Sequence, residues 1–253
     1  METFHPHRTV LTVQGKEAEA FLQGLITNDV TKASQGLYGA LLSPQGRFLY
    51  DFMVFSKDGV FYLTPETETA EELLKKVSFY KLRKDVALAL APELGVFLSP
   101  SPKGDLSFPD PRHANLGTFS LLPMGAAQSE AYRNYQNHRY GLGIPEGASE
   151  IGYDKGILLE QNLECALSWT KGCYMGQELM ARSKHVGVVR KKVMPLHWQG
   201  SAPAVGDQLF LNEIPVGRIT AVGDSVGLGL MRLEHLEHQK TFQTASGLQV
   251  SIK

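Results

Sequence analysis

The chain has little cysteine, no long apolar run and almost no net charge. Its two cysteines, Cys165 and Cys173, are too few for a disulfide framework and cannot form a zinc site unaided, so no metal site is predicted. No segment approaches the roughly 18 uninterrupted apolar residues of a membrane span, and the first residues lack the apolar run of a signal peptide. We therefore expect a soluble, cytoplasmic protein with no membrane partner.

The charge balance excludes a strongly basic or acidic molecule. There are 25 Lys/Arg and 26 Asp/Glu, a formal net charge of -1, so no field of the whole molecule attracts nucleic acid or an anionic membrane. The 253 residues are 43% hydrophobic, which is enough for a large core in one to three domains. Any basic site must be local.

Hydrophobic periodicity predicts mixed α and β elements in the first part of the chain. A strand at 9–13 precedes a helix with apolar residues on one face, and a second amphipathic helix runs through 70–77. Three strand-like runs lie between the helices, separated by turn signals, and another strand is predicted at 85–91. The order predicts an antiparallel meander rather than a regular βαβ alternation.

The later part of the chain has a different pattern. Residues 99–115 carry four prolines and few apolar residues, which predicts a long surface connection. From about residue 187, short apolar runs are separated by glycines, a pattern typical of a small β-barrel or sandwich.

One carboxylate stands out on the predicted strand "RFLYDFMVF". Both faces of this strand are apolar except at Asp51. A buried carboxylate costs several kcal/mol, roughly, unless it is paired or hydrogen-bonded. Asp51 therefore either caps a neighbouring backbone or lines a cavity, and the strand pattern leaves both open.

The stretch "WTKGCYMGQE" places Cys173 between two glycines. A helix-forming segment follows, and Lys171 lies close in sequence. A helix N-terminus and a nearby cation both favour thiolate, so Cys173 is a candidate reactive cysteine. The alternative is a small buried hydrophobe, which we expect for Cys165 in its apolar helical stripe.

The same region is locally basic. From Lys171 to Lys192 there are six Lys/Arg and one acid, Glu178, a local balance of +5. A solvated helix face followed by a linker explains this without function, and an anionic ligand or RNA backbone is the alternative.

The stretch "KGCYMGQE" resembles the K-G-C-[FY]-x-G-Q-E signature of the YgfZ family of folate-binding proteins, which is similar in fold to the glycine-cleavage aminomethyltransferase. "FLQGLITNDV", "LSPQGRFLYDFMVF" and "ARSKHVGVVRK" resemble other segments of the family in the same order. The resemblance implies an α+β, aminomethyltransferase-like folate-binding fold around a central channel. It would have two α+β subdomains, at 1–98 and 99–186, and a C-terminal β-barrel at 187–253.

The resemblance also implies a site. The cofactor would be tetrahydrofolate or a one-carbon derivative, Asp51 would line its cavity, and Cys173 and Lys171 would carry the chemistry. The implied cofactor-binding residues are Asn28, Asp51, Glu160, Tyr174, Gln177, Glu178 and Arg182. Three positions depart from the related patterns: Tyr50 beside a single acid, Gly141 in place of a glutamate, and Leu158 in place of a proline.

The function implied by the resemblance is a tetrahydrofolate-binding accessory protein for the assembly or repair of iron-sulfur enzymes, including tRNA-modifying ones, with those enzymes as partners. Two alternatives stay open. One is a folate-dependent aminomethyl or one-carbon transferase, and the other is a non-catalytic RNA-binding module that uses the basic stretch. Whether the protein is an enzyme is left open.

Overall fold

The computed structural model describes residues 3–124, 130–187, 189–236 and 239–252. The helices are α1 (Ala18–Leu25), α2 (Ala70–Lys81), α3 (Glu130–Gly141), α4 (Gly147–Ile151) and α5 (Gln177–Val186). The first nine strands are β1 (Thr3–Phe4), β2 (Leu11–Gln14), β3 (Leu37–Leu42), β4 (Phe48–Lys57), β5 (Val60–Leu63), β6 (Ala87–Leu90), β7 (Leu94–Ser99), β8 (Ser107–Pro109) and β9 (Thr118–Pro123). The remaining strands are β10 (Lys191–Trp198), β11 (Gln208–Leu211), β12 (Ile214–Val222), β13 (Val226–Arg232), β14 (Thr241–Thr244) and β15 (Gln249–Ser251).

The first sheet has five antiparallel strands in the order β3-β4-β5-β2-β6. β3, β4 and β5 form the predicted meander. Helices α1 and α2 cover one face, because the apolar side chains of each helix fall on one side and pack together with those of the sheet.

The central strand β4 is buried on both faces, as its sequence predicts. Tyr50, Phe52 and Val54 pack with the cluster that includes α1 and α2. Met53 and Phe55 belong to a second cluster, shared with the second sheet and with the segment after α4. Asp51 lies on this second side and is fully buried.

The second sheet has the order β1-β7-β9-β8 and takes its first strand from the start of the chain. The predicted connection at 99–115 contains β8, which the prolines concealed. The predicted boundary between residues 98 and 99 falls inside β7. The division into 1–98, 99–186 and 187–253 therefore stays a prediction, with its first boundary in conflict with the strand pairing.

The C-terminal part is a closed six-stranded barrel in the order β10-β13-β12-β11-β14-β15, which confirms the predicted barrel. Leu196, Leu209, Met231 and Phe242 are among its buried core. Tyr140 of α3 packs against the outside of the barrel with Val193, Ala221 and Leu228. The α3 helix thus joins the barrel to the rest of the fold.

A buried ion network links these modules, and Asp51 is one of its two centres. The Arg8 guanidinium donates to both Asp51 carboxylate oxygens, at 2.8 and 3.2 Å. The Tyr38 hydroxyl donates to Asp51 Oδ2 at 2.5 Å, and the Gly147 amide donates to the same oxygen at 3.1 Å. The carboxylate is therefore satisfied by protein groups from three different parts of the chain.

Glu146 is the second centre of the ion network. Its Oε2 accepts from Arg112 Nη1 at 2.6 Å, and its Oε1 lies 2.9 Å from His5 Nε2. Arg139 Nε and Arg8 Nη2 lie 3.7 and 3.9 Å from Oε2. Three arginines thus surround one carboxylate in the interior.

The pKa values of the network follow from this arrangement. Burial alone would raise the pKa of Glu146, but the attraction of Arg139, His5 and Arg112 outweighs burial and holds that pKa well below its ordinary value. Burial lowers the pKa of His5, against the opposing attraction of Glu146. Glu146 is therefore ionised and His5 neutral at pH 7, and the ionised carboxylate stabilises the fold above its unfolded pKa.

We predict that Glu146→Gln lowers the free energy of unfolding by about 3 kcal/mol, because it leaves buried arginines without their counter-charge. Urea unfolding measures the loss. Asp105→Asn is the control, since it removes only the exposed partner of Lys57 and should leave stability nearly unchanged. Because the pKa of Glu146 lies well below 4.5, the difference between wild type and Glu146→Gln should persist at pH 4.5 and decline only in more acid solution. Equal unfolding midpoints for Glu146→Gln and Asp105→Asn would refute the central role of Glu146.

Candidate functional site

The signature segment forms a loop that leaves Cys173 exposed. Helix α5 begins at Gln177, and Gly176 precedes it in the left-handed region at φ 80°. The predicted helix after the cysteine is therefore confirmed, with the thiol four residues before its first turn. The side chain of Cys173 is accessible to a partner or reagent, unlike a core cysteine.

The loop is held by a close contact between two glycine turns. A Cβ at Gly176 would lie 2.6 Å from the Ser43 carbonyl oxygen, and a Cβ at Gly46 would lie 2.8 Å from the Gly176 carbonyl oxygen. Any side chain at either position would separate the two turns. The second glycine of the signature is thus required by packing against the turn between β3 and β4.

Lys171 anchors the other side of the loop. Its ammonium donates to the Ile26 carbonyl at 2.9 Å and to the Asn28 carbonyl at 2.7 Å, across more than 140 residues of sequence. Burial lowers the pKa of Lys171 to about 8, although Asp29 opposes the shift. In the described ranges no hydrogen bond joins Lys171 to Cys173, so its observed contacts are those of a residue that positions the loop.

Two neighbouring groups complete the environment of the thiol loop. Tyr174 is buried, and the centre of its ring lies 5.3 Å from the Lys171 ammonium. Burial raises the pKa of the Tyr174 phenol to about 12. Cys165 is half-buried against the main core, and burial raises the pKa of its thiol to about 11. The two cysteines therefore differ as expected: Cys165 is packed and Cys173 is open.

The remaining signature residues lie at the start and on the outer side of α5. Gln177 is half-buried and its backbone amide donates to the Tyr174 carbonyl, while Glu178 and Arg182 are exposed. Their predicted role in holding a cofactor stays a prediction.

Asn28 is occupied by the backbone of its own surroundings. Its amide donates to the carbonyls of Tyr38 and Cys165, each at 2.8 Å, and its oxygen accepts from the Asp29 amide. The side chain therefore fastens the segment at 26–28 between β3 and the signature region.

Asp51 is fully buried and is not a lining residue of the cavity described below, so its predicted role in holding a cofactor stays a prediction. It is held inside the ion network by Arg8, Tyr38 and Gly147. Sequence reasoning missed this because Arg8 lies 43 residues away on a segment with no periodic pattern. Of the two readings that the strand pattern leaves open, the structure supports a structural one, with an ion pair added to the backbone contact.

Glu160 lies at the junction with the barrel, in a short 3-10 turn at Leu158–Glu160. Burial raises its pKa, against the attraction of Lys191, Arg47 and Arg218. Leu158, the departure from proline, is fully buried in the core. Gly141 is exposed in the last turn of α3, with open space where a side chain would stand.

A cavity lies beside the ion network, away from the signature loop. It has a volume of about 400 Å³ and opens between α3, α4 and barrel strand β12. Its walls carry carboxylates, tyrosines and small barrel side chains; they include Arg8, Glu66, Glu68, Tyr132, Tyr140, Glu146 and Ser149. None of the predicted cofactor-binding residues is among its lining residues.

These lining residues were missed by sequence reasoning. Arg8 and Glu146 lie on irregular segments, and Glu66 precedes α2 in a turn, so no periodic pattern marks them. Glu66 accepts from the Ala148 amide at 2.8 Å, and burial and the nearby Asp51 charge raise its pKa. The one local signal is the run "HPHR" near the start of the chain, which places His5, His7 and Arg8 together.

The basic stretch is less free than its charge suggests. Lys171 binds backbone carbonyls, Lys184 lies 3.9 Å from the centre of the Trp169 ring, and Lys192 pairs with Glu164 at 3.1 Å. Half of the six cations thus have partners within the protein. Uniform attraction of an RNA backbone would need more of them free.

Neither a membrane-spanning helix nor a cluster of metal-binding side chains is found in the part of the chain that the structure describes. In these ranges no helix is both long and apolar enough to span a bilayer. No group of three or more His, Cys, Asp or Glu side chains is arranged there to hold a metal ion.

Comparison with known proteins supports the fold and identifies the family. Residues 190–253 match the family model "CAF17, C-terminal beta-barrel domain". The glycine cleavage system aminomethyltransferase T from Bartonella henselae superposes with a TM-score of 0.76 over 99% of this chain and 84% of that chain, at 14% identity. The implied aminomethyltransferase-like fold is therefore confirmed.

Two curated relatives carry nearly the same description. The mitochondrial iron-sulfur cluster assembly factor IBA57 of Homo sapiens is 31% identical over 97% of this chain and 81% of its own length. The mitochondrial homolog from Neurospora crassa is 31% identical over 78% of this chain and 54% of its own length.

These relatives correct one prediction and refine another. The predicted cytoplasmic location is wrong, because the relatives are named as mitochondrial proteins. The resemblance to the YgfZ family is confirmed in part: the aminomethyltransferase-like fold is shown, and the relatives that cover 97% and 78% of this chain carry the more specific name IBA57. The chain belongs to the IBA57 family of iron-sulfur cluster assembly factors.

Proposed function

We propose that this protein supports the assembly of iron-sulfur clusters through the thiol of Cys173. The observation that carries the proposal is an exposed cysteine on a loop that is fixed on both sides, by Lys171 and by the contact between Gly46 and Gly176. Thiolate sulfur is the usual ligand of iron in such clusters. A thiol that is both open and positioned suits contact with a cluster that arrives on another protein.

The number of available ligands limits what this chain can do alone. A cluster is usually held by four cysteines. Cys165 is half-buried with a pKa near 11, and the described ranges contain no other set of side chains arranged for a metal. Cys173 therefore supplies one ligand, and a partner protein supplies the others.

A reduced folate is the proposed occupant of the cavity beside the ion network. A volume of about 400 Å³ falls within the range of small-molecule sites. The carboxylates of Glu66 and Glu68 offer acceptors for the N–H groups of a pterin ring, and Tyr132 and Tyr140 offer flat apolar surfaces. A bound tetrahydrofolate would supply amine nitrogens that can carry a one-carbon unit.

The finer details of the function are part of the proposal. The client enzymes would include tRNA-modifying iron-sulfur enzymes. Asn28, Asp51, Glu160 and the outer signature residues do not line this cavity, so their implied role as folate contacts is a separate proposal. A folate-dependent transferase remains an alternative that the shared fold alone does not favour.

We predict that Cys173 reacts with iodoacetamide at pH 7 at least about ten-fold faster than Cys165, because one thiol is exposed and the other is half-buried with a raised pKa. Peptide mass spectrometry after timed quenching measures both rates. Cys173→Ser should keep the melting temperature of the wild type, yet fail to restore iron-sulfur enzyme activity in cells that lack the protein. Cys165→Ser is the matched control and should restore it. Full restoration by Cys173→Ser would exclude the thiol as the functional group.

We predict that Ser149→Trp abolishes binding of tetrahydrofolate, measured by calorimetry, because the exposed Ser149 lines the cavity and an indole there would fill it. Ser149→Ala should bind as the wild type does. The loss should be about ten-fold or more in Kd, while the melting temperature changes little. If Ser149→Trp binds folate normally, the folate site lies elsewhere and the role of Cys173 is unaffected.

A further inference from the structure

A second surface of the protein combines exposed apolar side chains with basic ones. We call it the α2–β6 surface and define it by Phe79, the turn at 81–84 and the edge strand β6. Phe79 is 75% exposed and Leu82 is 81% exposed, the two highest values among the large apolar side chains of the described ranges. Neither side chain therefore contributes much hydrophobic stabilisation to the isolated chain.

Leu82 also occupies an unfavourable backbone conformation. Its φ of 52° and ψ of -115° are those of the first central residue of a type II′ turn, and the turn is closed by the Lys84 amide donating to the Lys81 carbonyl at 3.0 Å. Glycine is the residue that this position favours, and another residue there costs about 1–3 kcal/mol. An exposed leucine in a glycine position stabilises nothing in the isolated chain, which points to a partner that covers it.

The adjacent strand β6 has an open edge. It pairs with β2 on one side, and no described strand lies on the other. The Ala91 amide donates to the Val10 carbonyl, so by alternation the backbone groups of Leu88 and Leu90 point away from β2. Residues 86–91 carry no charge and no proline, the features that usually protect an edge strand.

The opposite edge of the same sheet is covered, which makes the contrast informative. There the Thr27 amide donates to the Ala40 carbonyl, the Ala40 amide donates to the Thr27 hydroxyl, and Asn28 donates to the Tyr38 carbonyl. The segment at 26–28 thus satisfies the edge of β3. In the described ranges, β6 has no equivalent cover.

The charge beside this edge is mainly positive. Residues 75–84 contain Lys75, Lys76, Lys81, Arg83 and Lys84 and no acid, in a chain whose net charge is -1. Two acidic residues lie beside this group: Glu17, 3.7 Å from the Lys84 ammonium, and the exposed Asp85, which follows Lys84 in the chain. An acidic partner would be attracted to these cations at separations up to about one Debye length, roughly 8 Å at physiological salt.

We propose that the α2–β6 surface binds an acidic protein segment, which adds as a strand to the edge of β6 and covers Phe79 and Leu82. Main-chain hydrogen bonds to Leu88 and Leu90 would align the segment, and its carboxylates would face the basic turn. A bilayer fits less well, because the edge groups would remain unsatisfied in lipid. A second copy of this chain would bring its own five cations to the same place. This proposal is independent of the thiol and folate proposals.

The test uses two synthetic peptides, one of alternating Glu and Val and one of alternating Lys and Val, with the full chain. The Glu peptide should bind, with affinity that falls as salt rises, and should slow hydrogen exchange at the amides of Leu88 and Leu90. The Lys peptide should not bind. Fluorescence anisotropy gives the affinities, and exchange measured by nuclear magnetic resonance gives the site.

The variants separate binding from folding. Leu82→Gly removes the apolar side chain and the backbone strain together. It should therefore raise the melting temperature and still lower the affinity for the Glu peptide by about ten-fold. Ile214→Gly, at an exposed apolar position on the barrel, is the control and should leave binding unchanged. Ala89→Glu should weaken binding of the Glu peptide, whereas Ala89→Lys at the same exposed position should not.

Several outcomes would overturn the proposal. These are equal binding of the two peptides, no binding of either, or normal binding to Leu82→Gly. Sedimentation that shows a dimer sensitive to Leu82→Gly, without peptide binding, would assign the surface to a second copy. Binding to phosphatidylserine vesicles that Leu82→Gly abolishes, again without peptide binding, would assign it to a membrane.

Discussion

The burial of Glu146 among three arginines is the constraint on which the arrangement of the modules depends. Arg8 comes from the start of the chain, Arg112 from the segment before β9 and Arg139 from α3. Each cation is buried, and each would cost several kcal/mol, roughly, if its counter-charge moved away. The N-terminal segment, the second sheet and α3 are therefore held around one carboxylate. Because α3 also packs against the barrel through Tyr140, the position of the barrel depends on the same residue.

The spacing of apolar residues along the chain predicted most helices and strands. It did not predict which distant segments contact each other. The strand β4 and the helices α1 and α2 were found because their apolar residues repeat with the period of the element. β8 was missed because its pairing with β9, rather than its own proline-rich sequence, makes it a strand. Asp51 was recognised as unusual, but its partner Arg8 could not be identified, since nothing in either segment indicates that they meet.

The signature segment likewise predicted local structure but not the contacts that its residues make with distant parts of the chain. The motif correctly predicted a loop, a cysteine outside the core and a following helix. It also suggested that Lys171 takes part in the chemistry of the thiol, which stays a prediction, while the observed contacts of its ammonium are with the carbonyls of Ile26 and Asn28. The second glycine of the motif is explained by the turn that it packs against at Gly46, more than 100 residues earlier. Residues of a sequence signature can therefore serve to position a loop as well as to carry out chemistry.

The two surfaces proposed for partners lie at opposite edges of the first sheet. The thiol loop is attached through Lys171 to the segment that covers β3, and the α2–β6 surface includes the other edge. The order β3-β4-β5-β2-β6 puts four inter-strand steps between these edges, or about 19 Å at the usual spacing. A short segment bound along β6 therefore leaves Cys173 uncovered. A protein that supplied further ligands to a cluster at Cys173 and also bound β6 would have to extend across the width of the sheet, so the geometry favours separate partners or one partner with a long acidic extension.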